Sequence, residues 1–548
     1  MILLRTIFII SLVLFSFVRV NAQGGEVMAK TPHIDWGERF TYRGEVLRLI
    51  DIEGRNFALA GVSRHFWAGI FPNSRKLHVQ SISALQPTST TTFRLKVNGR
   101  NTTPTDIVEG GNNQLITIGK RGRWFSNERK VYYHNFNRQG TDREVEGSVA
   151  TTYRRTPNVN FNQLTGIKQS DDFSKSGIHY SIPVGRNDFP GFGYVLFDEM
   201  KGVYDENLAM LPFRMNEMDV YDHFLTNDGE YYMVGKEFTG RNIYNPYVTS
   251  VGRLVRSRLF NHKEGKLEEI SLNINAFIPQ DLKLYDDKEE IIMTGFYAED
   301  QMSDIRGVFF IRMNKKTNEI TYQKHTPFSS DFISAGKAAW DRSYWDRMVA
   351  QSNRERNLNN FKVLEMRATK DNGYVVVAEH QEVDATLKTT GGDENSSKPK
   401  YDYNYYFDDL LVYKLDGEGE LLWVKRIPKS QQSQNDQGAY LSTLVAITDE
   451  NVHLFFNDSQ RNYDNNTGAF DLQREFPFPS STRGILNVIG YVKLDLKEGN
   501  ETRSMMPGRS DLRAVFIPKK SRFNVNTKEL YLYANLNNRH RLGYAQLR

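Results

Sequence analysis

The chain has 548 residues, a formal net charge of +5 and 39% hydrophobic residues, a composition that supports a large folded core. Such a small charge excess excludes the strongly basic surface that nucleic-acid binding requires, so no nucleic-acid partner is expected. The absence of cysteine excludes disulfides, thiol catalysis and cysteine-ligated zinc or iron–sulfur sites.

Residues 1–22 have the features of a secretory signal peptide. Arg5 precedes an apolar run from Ile7 to Val18, and small side chains at Val20 and Ala22 occupy the positions that signal peptidase reads. The run is shorter than the roughly 20 residues of a membrane-spanning helix. The sequence therefore predicts cleavage after Ala22 and an exported protein, periplasmic, surface-associated or secreted, without a transmembrane segment. The Ala22-Gln23 junction resembles that of exported proteins of the Bacteroidota.

After a short N-terminal segment (23–36), one pattern recurs along residues 37–548: a strand, a tight polar turn and a strongly apolar strand. The turns are rich in Gly, Asn and Asp, which tolerate the positive φ angles of tight hairpins. The strands that follow, such as Tyr374–Ala378, are apolar on both faces, as buried strands are. The turns lie at Glu53-Gly54, Gly110-Gly111, Asn227-Asp228-Gly229, Asp286-Asp287-Lys288, Asp371-Asn372-Gly373 and Asp449-Glu450-Asn451.

A second hairpin pattern alternates with the first, so the repeating unit has two hairpins and four antiparallel strands. It is visible at Gly193–Asp198, Gly307–Arg312, Leu410–Asp416 and Gly490–Asp495. The nearly even spacing of the early turns leaves room for one further unit, whose degenerate first hairpin we place near Gly177–Val184. The count is eight units, with seven as the alternative because the first and third are faint.

Tandem four-stranded units are typical of β-propellers, in which neighbouring blades cover faces that a single blade cannot bury alone. The chain resembles β-propellers over nearly all of residues 37–548, which implies an all-β ring. It lacks the Trp-Asp and Asp-box signatures, so no subfamily is indicated. Two packed β-domains are the alternative fold. Because Arg541–Leu547 matches a third strand, we expect Phe40–Leu49 to complete the last blade as its fourth strand.

Sequence motifs for catalysis are absent. The chain has no glycine-rich phosphate loop, no His-Glu-x-x-His and no Gly-x-Ser-x-Gly. Pairs such as Asp408-Asp409 are explained by turn and strand-end chemistry. Histidines 65, 223, 380 and 453 fall in different units. We therefore assign no catalytic residue, no cofactor and no metal site.

The long connections between strands are all expected on the same face of the ring. In a four-stranded blade, the second-to-third and blade-to-blade connections lie on one face, and the other two connections lie on the opposite face. The long insertions all belong to the first class, and long loops are more often functional than short ones. They are Lys236–Gly252, Ser329–Asn359, Val383–Tyr406, Lys429–Gly438 and Asn457–Gly484.

Three insertions, 329–359, 383–406 and 457–484, carry the candidate binding residues. The first has the apolar spacing of a helix, and a lid packed on the ring is its alternative role. Aromatic rings near Arg and Asn suit protein or glycan partners, and the alternative is that the rings only pack their own loops. The predicted binding residues are Trp340, Tyr344, Trp345, Tyr403, Tyr405 and Tyr463.

Two functional classes follow from these features. The favoured one is a non-catalytic binding or scaffold propeller for a protein or glycan partner in the cell envelope. The alternative is a propeller-type enzyme, a glycosidase or lyase, that acts on an extracellular polymer. Fold alone does not separate them, because one fold hosts many functions.

We expect the exported form to begin at Gln23. The small residues before this position allow signal peptidase to cut there, and the apolar run is too short to remain as an anchor. N-terminal sequencing of the exported protein measures this directly. Recovery of the protein with residues 1–22 still attached would contradict it.

Overall fold

A computed structural model gives the architecture. No helix in the part of the chain that it describes is long and apolar enough to cross a membrane. The structure describes residues 31–42, 44–63, 76–110, 114–122, 128–139, 143–154, 165–182, 184, 188–198, 202–214, 217–239, 253–263, 266–272, 278–299, 305–333, 358, 360–387, 401–471, 480–481 and 484–547.

The regular secondary structure of the described residues is almost entirely strand. In its first half the strands are β1 (Asp35–Trp36), β2 (Phe40–Thr41), β3 (Gly44–Glu53), β4 (Asn56–Ser63), β5 (Leu77–Ser83), β6 (Gln86–Val97), β7 (Arg100–Asn101), β8 (Pro104–Gly110), β9 (Gln114–Gly122), β10 (Glu128–Asn137), β11 (Glu144–Glu146), β12 (Ser148–Arg154), β13 (Thr165–Gln169), β14 (Lys175–Ile182), β15 (Gly191–Asp198), β16 (Gly202–Met210), β17 (Met218–Leu225), β18 (Tyr231–Thr239), β19 (Arg253–Lys263) and β20 (Lys266–Ile270).

The second half continues in the same way. Its strands are β21 (Ile278–Asp287), β22 (Glu290–Ala298), β23 (Gly307–Asn314), β24 (Ile320–Pro327), β25 (Phe361–Ala368), β26 (Tyr374–Leu387), β27 (Tyr401–Leu415), β28 (Leu421–Ile427), β29 (Gln431–Gln434), β30 (Thr443–Ile447), β31 (Asn451–Ser459), β32 (Ser480–Ser481), β33 (Asn487–Asp495), β34 (Glu501–Met506), β35 (Val515–Phe516), β36 (Arg522–Asn524), β37 (Glu529–Leu536) and β38 (Arg539–Gln546). Short helical turns lie at Gln460–Asn462, Arg509–Leu512 and Pro518–Lys520.

These strands form eight sheets, each built on four antiparallel strands, so the molecule is an eight-bladed β-propeller. The blades begin at β3, β8, β13, β17, β21, β25, β30 and β35, and the first strands lie next to one another around a central channel. The predicted fold class and the count of eight are confirmed, and the seven-blade and two-domain alternatives are wrong. One hairpin was misplaced: the first turn of blade 3 is at 170–174, and Gly177 lies inside β14.

The hydrophobic core is divided among the interfaces between blades. Between blades 6 and 7, for example, Val377 and Val412 pack with Leu454 and Val492, and all four are fully buried. Similar clusters fill the other seven interfaces, including the one between the last blade and the first. Each blade is therefore stabilised by burial against both of its neighbours.

Charged turns link blades at the face where the first and second strands meet. The Asp449 carboxylate, in the turn of blade 7, forms ion pairs with Lys370 of blade 6 at 3.0 Å and with Lys528 of blade 8 at 2.5 Å. Asp286 of blade 5 accepts a hydrogen bond from the backbone N–H of Asn227 in blade 4. The aspartates that the hairpin turns favour thus also tie neighbouring turns together.

Ring closure uses the N-terminal residues. β1 pairs with β38 through Trp36 and Gly543, and β2 pairs with β38 through Phe40 and His540. N-terminal residues do complete the last blade, as predicted. The predicted bounds Phe40–Leu49 are wrong, because β1 and β2 form the fourth strand. Gly44–Glu53 is instead the first strand of blade 1, because its apolar side chains are needed at the interface with blade 8.

Gly543 allows the closing strand to approach closely. A Cβ atom at this position would lie 2.9 Å from the Ile34 side chain and 3.0 Å from the Trp36 ring. The Arg541 side chain adds to the closure by donating a hydrogen bond to the carbonyl of Gly37 at 2.8 Å. The closing strand is thus held by backbone pairing, ring packing and one side-chain hydrogen bond.

Removal of β1 and β2 should destabilise the whole ring. A chain that begins at residue 44 loses these pairings and exposes the edge of β38. We expect its melting temperature to fall by several degrees relative to a matched chain that begins at residue 31. Equal melting temperatures for the two truncations would refute this form of closure.

Candidate functional site

The grouping of long connections is visible in the strand order. Connections 240–252, 388–400 and 460–486 join second strands to third strands, and 328–360 and 428–442 join successive blades. All of them leave the ring on one side, which we call the long-loop face. The other side, the short-turn face, has one longer connection, 138–147, which the sequence analysis overlooked. It carries β11, a strand that pairs in parallel with β6 of blade 1.

Blade 6 extends beyond the ring on the long-loop face. β26 and β27 have 14 and 15 residues and stay paired from Tyr374 and Leu415 to Leu387 and Tyr401. The outer strand β28 covers only residues 410–415 of β27. At about 3.3 Å per residue, the remaining nine residues of β27, 401–409, span roughly 30 Å. Much of the predicted insertion 383–406 is therefore strand.

Two other connections add strands to this hairpin. β29, in the connection that follows blade 6, pairs with residues 404–406 of β27. β32, in the long connection within blade 7, then pairs in parallel with β29. We call this sheet of β26, β27, β29 and β32 the blade 6 extension. It joins three of the predicted insertions in one piece of secondary structure.

A buried ion pair fixes the base of the blade 6 extension. Glu379 and Lys429 are 0% and 1% exposed, and their side chains are 2.9 Å apart. The Glu379 carboxylate also accepts hydrogen bonds from Ser442 at 2.8 Å and Thr443 at 3.0 Å. The Lys429 ammonium also donates to Gln431 Oε1 at 3.0 Å. Because each charge has several partners, the pair holds hairpin, connection and blade 7 together.

The carboxylate pair Asp408-Asp409 belongs to the same base. Asp409 accepts a hydrogen bond from Arg426 Nε at 2.6 Å and another from the backbone N–H of Lys429 at 3.0 Å. Asp408 lies 3.7 Å from the ring of His380. Both carboxylates are buried and hold β27 to its neighbours. The sequence analysis, which explained them by strand-end chemistry, did not predict these contacts.

A second buried network fixes the connection in blade 7. Asp458 accepts hydrogen bonds from Tyr463 OH at 2.7 Å and Arg503 Nη2 at 2.5 Å. The Arg503 guanidinium lies 3.7 Å from the centroid of the Phe470 ring, which meets Tyr463 edge to face. Burial raises the pKa of Tyr463, so its hydroxyl stays protonated and donates to Asp458. The connection is thus rigid up to residue 471.

The structure places three of the six predicted binding residues. Tyr403 is half-buried on β27. Tyr405 is 6% exposed and packs with Phe407 and Leu441, and Tyr463 is 4% exposed inside the Asp458 network. Both of these rings are thus buried among their neighbours, Tyr405 on a strand and Tyr463 in the connection within blade 7.

The other three predicted residues, Trp340, Tyr344 and Trp345, lie outside the described residues, as does most of the predicted helix. Its start is described: residues 330–333 form a helical turn, in which the backbone N–H of Phe332 donates to Ser329 Oγ at 3.2 Å. The Phe332 ring packs 5.0 Å from that of Phe328.

Two histidines from neighbouring blades form a contact that the sequence did not reveal. His223 of β17 stacks on His179 of β14, with ring centroids 3.7 Å apart. Burial lowers the pKa of His223 to about 3 and that of His453 to about 4, so both rings are neutral. His65 lies outside the described residues. Among the described residues, no group of three or more His, Cys, Asp or Glu side chains could hold a metal ion.

Lys519 and Phe407 form a contact that the sequence analysis missed. The Lys519 ammonium lies 4.7 Å from the centroid of the Phe407 ring, and burial lowers its pKa to about 8. The two residues come from blades 8 and 6, which lie on either side of blade 7. The one sequence signal was Pro518, which lies in the short helical turn that interrupts the first strand of the last blade.

No known protein family and no curated protein matches the chain by sequence. Among solved structures, the Dos1 propeller is similar at 10% identity and a TM-score of 0.39, with 93% of this chain and 95% of that chain covered. The WD40 domain of SCAP from fission yeast is similar at 9% identity and a TM-score of 0.35, covering 94% and 98%. Prolyl oligopeptidase B from Galerina marginata is similar at 7% identity and a TM-score of 0.34, covering 92% of this chain and 56% of that chain.

Breaking the Glu379–Lys429 pair should loosen the blade 6 extension. The Lys429→Met substitution leaves a buried carboxylate without its cation, which typically costs roughly 3–5 kcal/mol. We expect a clear loss of stability in urea unfolding, partly restored by the double change Glu379→Gln and Lys429→Met.

The matched control is Lys316→Met. Lys316 pairs with Glu289 at 3.1 Å, but both side chains are at least 74% exposed, so its loss should change stability little. Equal effects of Lys316→Met and Lys429→Met would show that the buried pair does not stabilise the extension.

Proposed function

We propose that this propeller is an exported, non-catalytic binding or scaffold protein, whose long-loop face engages a protein or glycan partner in the cell envelope. The observation that carries the proposal is the blade 6 extension, which combines three long connections in one sheet on one face. Loop closure costs only about 0.6 kcal/mol for each doubling of length, so stability alone gives no reason to gather long connections on one side. A shared partner does give such a reason.

The rigidity of the extension supports binding in particular. Two separate buried networks, around Glu379 and around Asp458, hold its base and the neighbouring connection. A surface that is ordered before binding loses less conformational freedom when the partner arrives. Burying charged groups is costly, but the networks around Glu379 and Asp458 keep the projecting blade 6 extension in one conformation.

Roles within the predicted residues differ by burial. We assign partner contacts to Trp340, Tyr344 and Trp345 in the connection 328–360, and to the half-buried Tyr403 on the extension. Tyr405 and Tyr463 act by holding the surface in shape, since their rings are packed inside it. The signal peptide that the sequence predicts at residues 1–22 supports a partner outside the cytoplasm.

Affinity capture with the mature protein, from envelope proteins and from envelope glycans, identifies the partner. Trp340→Ala and Trp345→Ala should then weaken its binding by about 2 kcal/mol, roughly 30-fold, if these rings are central anchors. The loss is measured by titration of the purified partner.

A matched aromatic control is available on the other side of the molecule. Tyr204 is 37% exposed on the outer strand of blade 3, and its hydroxyl donates to the carbonyl of Gly229 in a short turn. Tyr204→Ala should leave the affinity unchanged. The proposal fails if Tyr204→Ala weakens binding while the tryptophan substitutions do not, or if all three variants bind like the wild type.

A further inference from the structure

The first strands of blades 3, 4 and 5 place a charged triplet in the central channel. Asp222 of β17 pairs with Lys168 of β13 at 2.6 Å and with Lys283 of β21 at 3.2 Å. Their side chains are 17%, 35% and 23% exposed, respectively. Because first strands line the channel, this partial exposure is toward the channel interior.

Two further lysines extend this group toward the long-loop face. Lys362 lies at the start of β25, the first strand of blade 6, and Lys519 lies in the helical turn between the two short strands that begin blade 8. The charge of Lys362 lowers the pKa of Lys168, Asp222 and Lys519, so its ammonium group is close enough to act on all three. Among the described residues, neither Lys362 nor Lys519 forms an ion pair with a carboxylate.

Most of the neighbouring carboxylates are engaged by other groups. Glu379 pairs with Lys429, Asp281 with Lys236 at 3.0 Å, and Glu365 with Arg367 at 2.9 Å. Asp436 accepts hydrogen bonds from Ser433 and from the backbone N–H of Gly438. Lys168 and Lys283 thus share the carboxylate of Asp222, whereas Lys362 and Lys519 have no ion-pair partner among the described residues.

The opposite end of the channel is bridged by arginines. Arg367 of blade 6 reaches Asp171 of blade 3 at 3.5 Å, and Arg522 of blade 8 reaches Glu109 of blade 2 at 3.2 Å. The Arg522 guanidinium also lies 5.2 Å from the centroid of the Phe173 ring. Because these residues lie at the ends of first strands or in the turn that follows, the bridges narrow the channel at the short-turn face.

A cavity of about 350 Å³ lies next to these bridges, against the first strands of blades 6, 7 and 8. Its lining includes Leu364, Val445 and Pro518, with Glu365, Arg367 and Arg522 as its charged side chains. This volume is in the range that holds a small ligand. The channel therefore contains a small well beside the arginine bridges.

An excess of like charges in a confined well opposes folding, because each ammonium group is repelled by the others. Asp222 compensates only part of this repulsion. Compact oxyanions are the natural complement, since a lysine ammonium is a flexible point charge that binds phosphate or carboxylate oxygen atoms. A ligand with at least two negative charges would supply the negative charge that the carboxylates of the protein do not provide near these lysines.

We propose that the central channel binds a small oxyanion with two or more negative charges, carried by phosphate or carboxylate groups. The ligand enters from the long-loop face and is held by Lys362 and Lys519, with Lys168 and Lys283 below them. This site is separate from the blade 6 extension and does not depend on the proposed partner.

Calorimetric titration of the full mature chain tests the site, with inorganic pyrophosphate and citrate as probes at constant ionic strength. We expect at least one probe to bind, and Lys362→Gln and Lys519→Gln each to weaken its binding roughly tenfold. Both substitutions remove a charge without breaking an ion pair, so the variants should fold. A preference for pyrophosphate identifies a phosphate site, and a preference for citrate identifies a carboxylate site.

The control is Lys497→Gln, which removes the same charge from an exposed turn on the short-turn face. It should leave the affinity unchanged. Asp222→Asn should tighten binding, because it removes the one negative charge that repels the ligand, even if it lowers stability. The proposal is overturned if neither probe binds below about 1 mM, or if Lys497→Gln weakens binding as much as Lys362→Gln does.

Discussion

Each blade of this protein has two apolar faces, and only neighbouring blades can cover them. The structure depends on this constraint because it forces the chain to form a closed ring. Val377 and Val412 of blade 6 are buried only by blade 7, and Tyr531 and Tyr533 of blade 8 only by Tyr42, Phe57 and other residues of blade 1. The N-terminal residues therefore complete the last blade, and the whole ring is a single cooperative unit.

Closure of the ring also creates two places where charge is brought together. On its inside, the first strands place Lys168, Asp222 and Lys283 from three blades within direct contact. On the long-loop face, Glu379 and Lys429 meet at the base of the blade 6 extension. In the second group each charge has several partners, whereas in the first two lysines share one carboxylate. This difference separates a scaffold network from a candidate ligand site.

The two proposed sites lie on the same side of the molecule, and Lys519 is near both. Its ammonium contacts Phe407 of the blade 6 extension and feels the charge of Lys362 in the channel. A small anion in the channel and a large partner on the extension would therefore occupy adjoining regions. Such an arrangement suits a protein whose surface engages a partner while its channel holds a separate small ligand.

The sequence alone determined the class of fold, the number of blades and the face that carries the long connections. These features follow from local sequence patterns, because turn residues and apolar strands repeat at regular intervals along the chain. The same rules located Tyr403, Tyr405 and Tyr463 on the right face. They could not tell which rings are buried, since burial depends on what packs above each ring.

Only the tertiary structure decided the contacts between distant residues. Lys168, Asp222, Lys283, Lys362 and Lys519 are spread over five blades, and no local pattern brings them together. Each is one charged residue on or near a first strand, and as such looks like any polar position on a half-exposed strand. They form a group because ring closure aligns the first strands around one axis, a constraint that acts on the whole chain and that no short segment contains.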